Sequence, residues 1–561
     1  MIADLGERRE QDLATYDVCV VGSGPAGMTV ARELSDCGLS ICVLESGGRR
    51  PTPHGDALRK VRSEGIHIKE YSRERVLGGA STTWAGLSSP LDPVDTRPRP
   101  HVRHSGWPLS ADELRPYYQR AAARYRFAPL ELYGPAGFGQ LEARGDLRPG
   151  WNELERKVFL AAAEPQDFGA EWRDVFDAPG VDLYLDATLV RMEGTDGRVE
   201  RGLLRTSAGG TLTVAATVFV LAAGGIENAR ILLASRDLCP RGLGNERDQV
   251  GRYMMNHPKS YFGLVRLARP VTELPYYFGC LHRGYAGYAG LRLRDELQDE
   301  RGLLNCYVRF EPLFPWSDCL GVEALVYLVK HSKSFFRGWK ERRRGEVIAL
   351  RDYSESGDDS DFQNERKSGL AWLRMVALVL VNLPAVTRYA YFRLRRRAAP
   401  EVRVARVRNF MEMAPDPDNR VVLGNETDAN GEPLPVVRHD TGALDRRSLI
   451  ELHRALAAEL ERNGLGRLEG RLEEARPWPV DRDASHHMGT TRMGRDPATS
   501  VVDPDCRLHS VANVYLAGAS VFPTSGCANP TFTLVALAIR LAEHLRREVF
   551  ARGGEHVAPA P

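Results

Sequence analysis

The sequence predicts an α/β protein with two domains, and three observations support this fold class. A chain of 561 residues is too long for one ordinary hydrophobic core. Residues 16 to 47 have the pattern of a strand, a glycine-rich turn, a helix and a second strand. Residues 211 to 235 repeat the strand, glycine turn and helix, so we expect a second crossing into the same parallel sheet.

The first of these units has the features of a dinucleotide-binding turn. After the apolar strand "YDVCVV", the segment "GSGPAG" places Gly22, Gly24 and Gly27 in G-x-G-x-x-G spacing. These glycines permit a tight turn and let backbone N–H groups approach a pyrophosphate at the helix N-terminus, where the helix dipole favours negative charge. Glu45 ends the second strand, about twenty residues further on, where an acid can bind ribose hydroxyls. The unit predicts a Rossmann-type domain but does not decide between a nicotinamide and a flavin cofactor.

The second unit favours the flavin. The strand in "TLTVAATVFVLAAGGIENARILLAS" runs into Ala223 and Gly224 and then into a helix. It follows predicted β-hairpins in "VDLYLDATLVRMEGTDGRVERGLLRTS". This layout is typical of large FAD-binding domains.

The composition excludes several classes of protein. Hydrophobic residues make up 43% and charged residues 27%, and the formal charge of +2 gives no reason to expect nucleic acid as a partner. The nine cysteines form no Cys-x-x-Cys pair and are expected to be buried thiols, and no metal site is predicted. The amino terminus is charged, and the longest apolar run, "MVALVLVNL", is too short to span a bilayer. We therefore expect a cytoplasmic protein.

Several further segments carry a family resemblance, in this order: "RVLGGASTTWAG", "SGWPLSADELRPYY", "VGRYMMNHP", "SHHMGTTRMG" and "AGASVFPTSGCANPTFTLVALAIRLAEHL". With the two glycine units, they make the chain resemble the glucose-methanol-choline (GMC) oxidoreductases, flavoenzymes that oxidise alcohols. The stretch Gly-Gly-x-Ser-Thr-x-Trp and the turn Gly-Thr-Thr-Arg-Met-Gly are most similar to the branch of pyranose oxidases and related glycoside oxidoreductases.

The resemblance implies an FAD-binding Rossmann-type domain with an inserted α+β substrate-binding domain built on an antiparallel sheet. The expected FAD domain comprises residues 1–100, 176–260 and 480–561, and the substrate domain comprises 101–175 and 261–479. The polar stretch near 352–369 is expected to be a lid or an exposed linker.

The resemblance and the glycine units together predict the residues that bind FAD. They are Gly22, Gly24, Pro25, Ala26, Gly27, Glu45, Ser46, Gly78, Gly79, Ser81, Thr82, Thr83, Trp84, Ala223, Gly224, Gly518, Ala519, Asn529, Pro530 and Thr531. Pyranose oxidases have a histidine bonded to the flavin where this chain has Thr83, so we expect non-covalent FAD. Ala85 replaces their threonine beside the flavin, and both oxidase and dehydrogenase activity therefore stay open.

The same resemblance assigns the catalytic pair. The base stands three positions before the glycine of His-x-x-Gly-Thr, which is His486, and its partner is Asn529. An imidazole suits removal of a hydroxyl proton near neutral pH, and the amide can stabilise the substrate oxygen. In an extended segment, neighbouring side chains face opposite ways, so His487 is expected to pack elsewhere. His257 is interpreted as a loop cap.

The implied reaction is oxidation of a ring hydroxyl of a sugar, glycoside or sugar-containing molecule to a ketone or aldehyde. O2 or another electron acceptor then reoxidises the flavin. The alternatives are a non-sugar alcohol as substrate, a membrane-associated dehydrogenase that reduces a quinone, and a redox-neutral or non-catalytic protein. Met411, Glu412 and Met413 are expected to alternate between the pocket and the outside, with Glu412 contacting a polar or amino-bearing substrate, and His439 could also reach the pocket.

Basic and aromatic residues are interleaved on both sides of the apolar helix "LAWLRMVALVLV", in "FFRGWKERRRG" and "TRYAYFRLRRR". They could contact an anionic membrane, a partner or an acidic substrate. The interpretation favoured by the sequence is that these helices pack on the flavin domain and expose their charges to water.

Overall fold

The computed structural model describes residues 1–6, 12–135, 137, 149–271, 280–282, 284–314, 316–331, 369–395, 402–481 and 485–551. The predicted lid lies outside the described residues except for Gly369, and the basic stretch at 335–345 lies wholly outside them.

The strands are numbered in chain order. They are β1 Ile2–Asp4, β2 Tyr16–Val21, β3 Ile41–Leu44, β4 Arg62–Gly65, β5 Leu154–Ala162, β6 Val181–Leu185, β7 Thr188–Thr195, β8 Arg198–Arg205, β9 Thr211–Leu221, β10 Lys259–Val271, β11 Cys280–His282, β12 Tyr285–Leu293, β13 Tyr307–Pro312, β14 Val402–Phe410, β15 Arg420–Thr427, β16 Pro433–His439, β17 Gly466–Glu469 and β18 Val514–Leu516.

The α-helices are numbered in the same way. They are α1 Pro25–Leu34, α2 Pro53–Ala57, α3 Pro93–Thr96, α4 Ala111–Tyr125, α5 Phe168–Glu171, α6 Gly225–Ala234, α7 Asp295–Arg301, α8 Leu320–His331, α9 Gly369–Val381, α10 Leu383–Arg395, α11 Ala443–Arg462 and α12 Thr531–His544.

The first sheet has the order β1-β6-β3-β2-β9-β8-β7, with β18 also paired to β9. Its strands β1, β6, β3, β2, β9 and β18 are parallel, while β7 to β9 form an antiparallel meander. The segment Tyr16–Val21 is almost continuously buried, as expected of a central parallel strand with both faces covered. Helices α1, α12 and α4 pack together beside this sheet. The predicted Rossmann-type fold is confirmed, while the boundaries of this domain stay predictions.

The second sheet is antiparallel, with the order β11-β12-β13-β14-β10-β17 and β5 paired to β12. The apolar stripe of α11, which includes Leu449, Leu452 and Leu456, packs in one core with Val308 and Val407 of the sheet. Alternate residues of each strand face this helix. The strand sequences therefore contain both apolar and polar residues. The predicted α+β substrate domain is therefore confirmed as a fold, while its exact boundaries stay predictions.

Helices α8 to α10 lie in the connection between β13 and β14. Among the described residues, the apolar contacts of α9 and α10 are with α8 and with Phe314 and Trp316 before it. This arrangement contradicts the interpretation that these helices pack on the flavin domain. The physical reason is that three short apolar helices bury part of their surface against one another.

No single described helix is long and apolar enough to cross a membrane, although the bent pair Trp372–Val381 and Leu383–Tyr391 passes the same test when taken together.

Candidate active site

The carboxyl ends of four parallel strands meet at one edge of the first sheet. The N–H of Gly22, after β2, donates to the carbonyl of Leu44 at 2.8 Å. The N–H of Ala222, after β9, donates to Val21, and that of Ala517, after β18, donates to Leu221, both at 2.8 Å. The glycine turn, Glu45, Ala223–Gly224 and Gly518 thus share the crevice in which open α/β sheets bind their ligands.

The glycines of the first turn have different roles. Gly22 has φ +102°, and a side chain on Gly27 would place a Cβ 1.9 Å from the Gly22 carbonyl oxygen, so both are required by the turn itself. Gly24 has ordinary extended backbone angles and no atom within 4 Å of an added Cβ. It precedes α1, where Pro25 opens the helix and Ala26 is buried. The open space at Gly24 in front of a helix N-terminus fits a pyrophosphate.

Ser23 joins three of the predicted segments. Its hydroxyl donates to Glu45 Oε2 at 2.6 Å and accepts from the N–H of Gly78 at 3.2 Å. The other oxygen of Glu45 accepts from the N–H of Gly47, and Ser46 lies 3.4 Å from it. Sequence reasoning did not select Ser23, although its place between the two glycines of the turn was a signal.

The second predicted flavin segment lies directly against this turn. A Cβ added to Gly79 would be 3.1 Å from the Cα of Gly24. Ser81 is buried, where it donates to the Gly78 carbonyl and accepts from the N–H of Phe168. Ser81 therefore shapes the loop rather than facing the crevice.

The next three residues of this segment differ in their exposure. The indole of Trp84 donates to the carbonyl of Gln166 at 2.7 Å. Thr82 and Thr83 are exposed, so their side chains are accessible to a ligand.

Asn228 connects the segment of Ala223 and Gly224 to the segment after Gly518. Its side chain accepts from the N–H of Ala223 at 2.9 Å and donates to Ser520 Oγ at 3.0 Å. Gly224 is the N-cap of α6, with φ +88°, and has open space where a Cβ would lie. Gly518 has φ +106°, and a Cβ added to it would be 3.9 Å from the Cβ of Ala26; the buried Ala519 follows it. The residues present thus fit an FAD.

The predicted base lies opposite a second histidine. Met255 and Met488 form an antiparallel bridge with two 3.0 Å hydrogen bonds, a register that places His257 across from His486. Nδ1 of His257 is 2.9 Å from Nδ1 of His486. Asn256 Oδ1 accepts the backbone N–H groups of both histidines, at 2.9 and 3.0 Å.

This contact sets the tautomers of both rings. Nε2 of His257 is 2.9 Å from the carbonyl oxygen of Gly526, which can only accept, so that nitrogen carries a proton. Burial lowers the pKa of His257 to about 4, so the ring is neutral and its Nδ1 accepts from Nδ1–H of His486. Nε2 of His486 is therefore unprotonated. It has no hydrogen-bond partner among the residues that the structure describes.

Burial, and then the neighbouring His257, also hold the pKa of His486 well below its ordinary value. A low pKa keeps the imidazole neutral, the state in which it can accept a proton. His487 has a different environment, since its Nε2 is 3.4 Å from Ser72 Oγ. The interpretation of His257 as a loop cap was incomplete, because its ring bonds both the loop carbonyl and the base.

Asn529 stands three residues after Gly526, half-buried, with Pro530 and then Thr531 opening α12. The chain of contacts from His486 through His257 to Gly526 ties the base to the loop that carries Asn529. The predicted meeting of His486 and Asn529 over the flavin stays a prediction.

Glu412 does not face a substrate, and that expectation was wrong. Its carboxylate is fully buried and bonds both terminal nitrogens of Arg99, at 2.9 and 2.5 Å, as well as the N–H of Asn305. Met411 and Met413 are buried as well. His439 lies in the small sheet of β15, β16 and β4, where burial lowers its pKa to about 4.

Two family models match the chain. Residues 17–255 match the model for FAD dependent oxidoreductases, and residues 415–538 match the model for GMC oxidoreductases. The fructose dehydrogenase large subunit of Gluconobacter japonicus is 26% identical over 95% of this chain and 98% of that protein. The paromamine 6'-oxidase of Streptomyces fradiae is 24% identical over 98% of this chain and 95% of that protein. The pyridoxine 4-oxidase structure from Mesorbium loti has a TM-score of 0.53 at 16% identity, covering 95% of this chain and 99% of that one.

The fold and the crevice together define a dinucleotide-binding protein, and the match to the model for FAD dependent oxidoreductases identifies it as a flavoprotein. The chain carries a GMC oxidoreductase domain at residues 415–538 and is an FAD-dependent oxidoreductase that acts on CH–OH groups. The predicted resemblance and enzyme class are thereby confirmed.

Proposed function

We propose that this enzyme oxidises a ring hydroxyl of a sugar, a glycoside or a sugar-containing small molecule to a ketone or aldehyde. The observation that carries the proposal is the unprotonated Nε2 of His486, left available while its Nδ1–H is bonded to His257. The likeness over nearly the whole chain to a fructose dehydrogenase subunit and to a paromamine 6'-oxidase supports the substrate class.

The chain's residues have separate tasks in this reaction. Bound FAD supplies the acceptor for the hydride. Nε2 of His486 takes the hydroxyl proton, so that positive charge does not build up on the carbonyl oxygen as the hydride leaves. The Asn529 amide orients the same oxygen by donating a hydrogen bond. The N-terminus of α12 adds a favourable field for negative charge near the flavin.

We also propose that the FAD is held without a covalent bond, since Thr83 cannot form the bond that a histidine makes at this position. Denaturation in acid should release all the yellow colour into the supernatant. Colour that stays with the precipitated protein would contradict this proposal. The cytoplasm remains our proposed compartment, because eight of the nine cysteines are free thiols.

Anaerobic flavin bleaching across a panel of sugars, glycosides and aminosugars tests the function. We expect His486→Ala to lower the bleaching rate by about 10²–10⁴-fold, the usual contribution of a general base. His487→Ala is the matched control and should retain most of the rate. The bleaching rates are compared between enzyme samples whose measured FAD content is equal. If the wild type is bleached by no sugar, or if only His487→Ala is inactive, the proposal fails.

Reoxidation completes the test. Mixing the reduced enzyme with air or with a soluble quinone identifies the electron acceptor, which decides between an oxidase and a dehydrogenase.

A further inference from the structure

Helices α8, α9 and α10 form a projection from the substrate domain, which we call the helical projection. It lies in the connection between β13 and β14, which pair from Tyr307↔Phe410 to Pro312↔Ala405. The Phe410 end is the end near the base, because the next residue, Met411, bonds Pro258 beside His257. The projection leaves from the other end, about 17 Å away for five residues of strand.

The projection has a small core of its own. Val322 of α8 packs with Val386 and Tyr389 of α10, and Ala324 of α8 packs with Met375 of α9. These contacts bury one face of each helix. They do not bury the other faces of α9 and α10.

A second face of α9 and of the start of α10 is apolar and exposed. Leu373 is 68% exposed, Leu380 64% and Val381 81%, and Leu383 at the start of α10 is 49% exposed. Leu373, Val376 and Leu380 follow each other at helical spacing and so form one stripe that continues into the bend. Contiguous exposed apolar residues of this kind mark interaction sites.

The charges carried by α9 and α10 all have one sign, whereas α8 carries Glu323. Residues 369 to 395 contain no aspartate or glutamate, and their charged residues are Arg374, Arg388, Arg393 and Arg395. A surface that combines apolar residues with arginine alone complements an anionic lipid surface. A second copy of this chain would instead bring like charges together across an isologous contact.

The dimensions favour a position on the surface over a crossing. Each of α9 and α10 has 13 residues, about 20 Å of helix, whereas the hydrocarbon core is about 30 Å thick. The two helices bend by 85° between Val381 and Leu383. The exposed residues at this bend form the part that would enter the lipid first.

We propose that the helical projection binds the surface of a bilayer that contains anionic phospholipid, with Leu373, Leu380, Val381 and Leu383 in the interface. The exposed Arg388 contacts the headgroups. This site is remote from the FAD crevice, so the binding does not depend on the identity of the substrate.

Co-sedimentation of the FAD-loaded full chain with vesicles tests the proposal. We expect binding to phosphatidylcholine vesicles that contain about one third phosphatidylglycerol, and little binding to phosphatidylcholine alone. The double variant Leu380→Ser/Val381→Ser should lose at least about tenfold in partitioning, because it removes two buried side chains from the interface. Arg388→Glu should also weaken binding, whereas Arg241→Glu, an exposed arginine of the flavin domain, should not.

Flavin content and melting temperature establish that the variants fold. If the double variant does not fold, Leu373→Ser and Arg388→Glu carry the test, since both positions are exposed. Failure of the wild type to bind the anionic vesicles, or equal binding by the wild type and the folded variants, overturns the proposal. So does a dimer in light scattering that the apolar variants convert to a monomer, because a second copy would then cover the face.

Discussion

At the scale of single residues, the proposed base, His486, depends on a partner that is distant in the chain. The antiparallel bridge brings His257 to His486, and the carbonyl of Gly526 determines which nitrogen of each ring carries the proton. A hydrogen bond to one ring nitrogen decides the state of the other, so His257 orients the base without meeting the substrate. His257 is therefore a positioning residue in the proposed reaction.

Removal of this partner should change both the rate and its pH dependence. In the wild type, the pKa of His486 is well below 6.5, so flavin reduction should stay constant as the pH falls and decline only in strongly acidic buffer. In His257→Ala, water enters the site and the pKa rises, so the acidic decline should move towards pH 6.5. We also expect about a 10²-fold lower rate, the cost of a base misplaced by about 1 Å.

Stopped-flow reduction between pH 4 and 8 measures both effects, with His487→Ala as the control because it keeps the contact between His257 and His486. His257→Gln, which can still bond the base, should recover part of the rate. An unchanged pH profile in His257→Ala would show that His257 has only a packing role.

At the scale of elements, the glycines of the turn between β2 and α1 have two different roles. One is needed for the turn to form, and the other leaves space for FAD. Gly27 packs against the Gly22 carbonyl, whereas Gly24 faces open space with extended backbone angles. The G-x-G-x-x-G pattern does not distinguish these roles, because it records only the spacing.

The two positions should therefore respond differently to substitution. Gly24→Val should fold with the melting temperature of the wild-type apoprotein but retain at most about a tenth of the FAD, since the side chain occupies the space next to the helix N-terminus. Gly27→Ala should lower the yield of folded protein, because its Cβ overlaps the Gly22 carbonyl. Absorbance of bound flavin and thermal melting measure the two effects. Full FAD content in Gly24→Val would contradict the assigned position of the cofactor.

At the scale of the whole molecule, a buried charge network joins the segment after α3 to the second sheet. Arg99 bonds Glu412 after β14, and Asn305 donates to Glu412, Asp92 and Asp95. The nearby charges of Asp92 and Glu412, together with burial as the larger cause, raise the pKa of Asp95 to about 7. The network packs against the loop of Gly526: a Cβ added to that glycine would be 2.6 Å from the Asp95 carboxylate.

A break in the Arg99–Glu412 pair should destabilise the protein strongly. We expect Glu412→Ala to lower the free energy of unfolding by about 3–5 kcal/mol, since it leaves Arg99 buried and unpaired. The double variant Arg99→Met/Glu412→Leu should lose less than either single variant. Arg97→Ala removes the exposed pair with Asp299 and should cost about 0–1 kcal/mol.

Denaturant midpoints at saturating FAD measure these differences. A cost for Glu412→Ala no larger than that for Arg97→Ala would show that the buried pair does not stabilise the junction between the domains.

The sequence by itself was sufficient for the fold class and for the crevice at the ends of β2, β3 and β9. These features follow from local patterns, in which a buried strand, a glycine turn and a helix occur within a few dozen residues. The choice of His486 came from the family resemblance and stays a prediction. Only the tertiary structure decided the environments of His257 and Glu412. Their partners lie 229 and 313 residues away in the chain. A side chain's partner and burial depend on such distant contacts, and for this reason a glutamate expected in the pocket is instead bonded to a buried arginine.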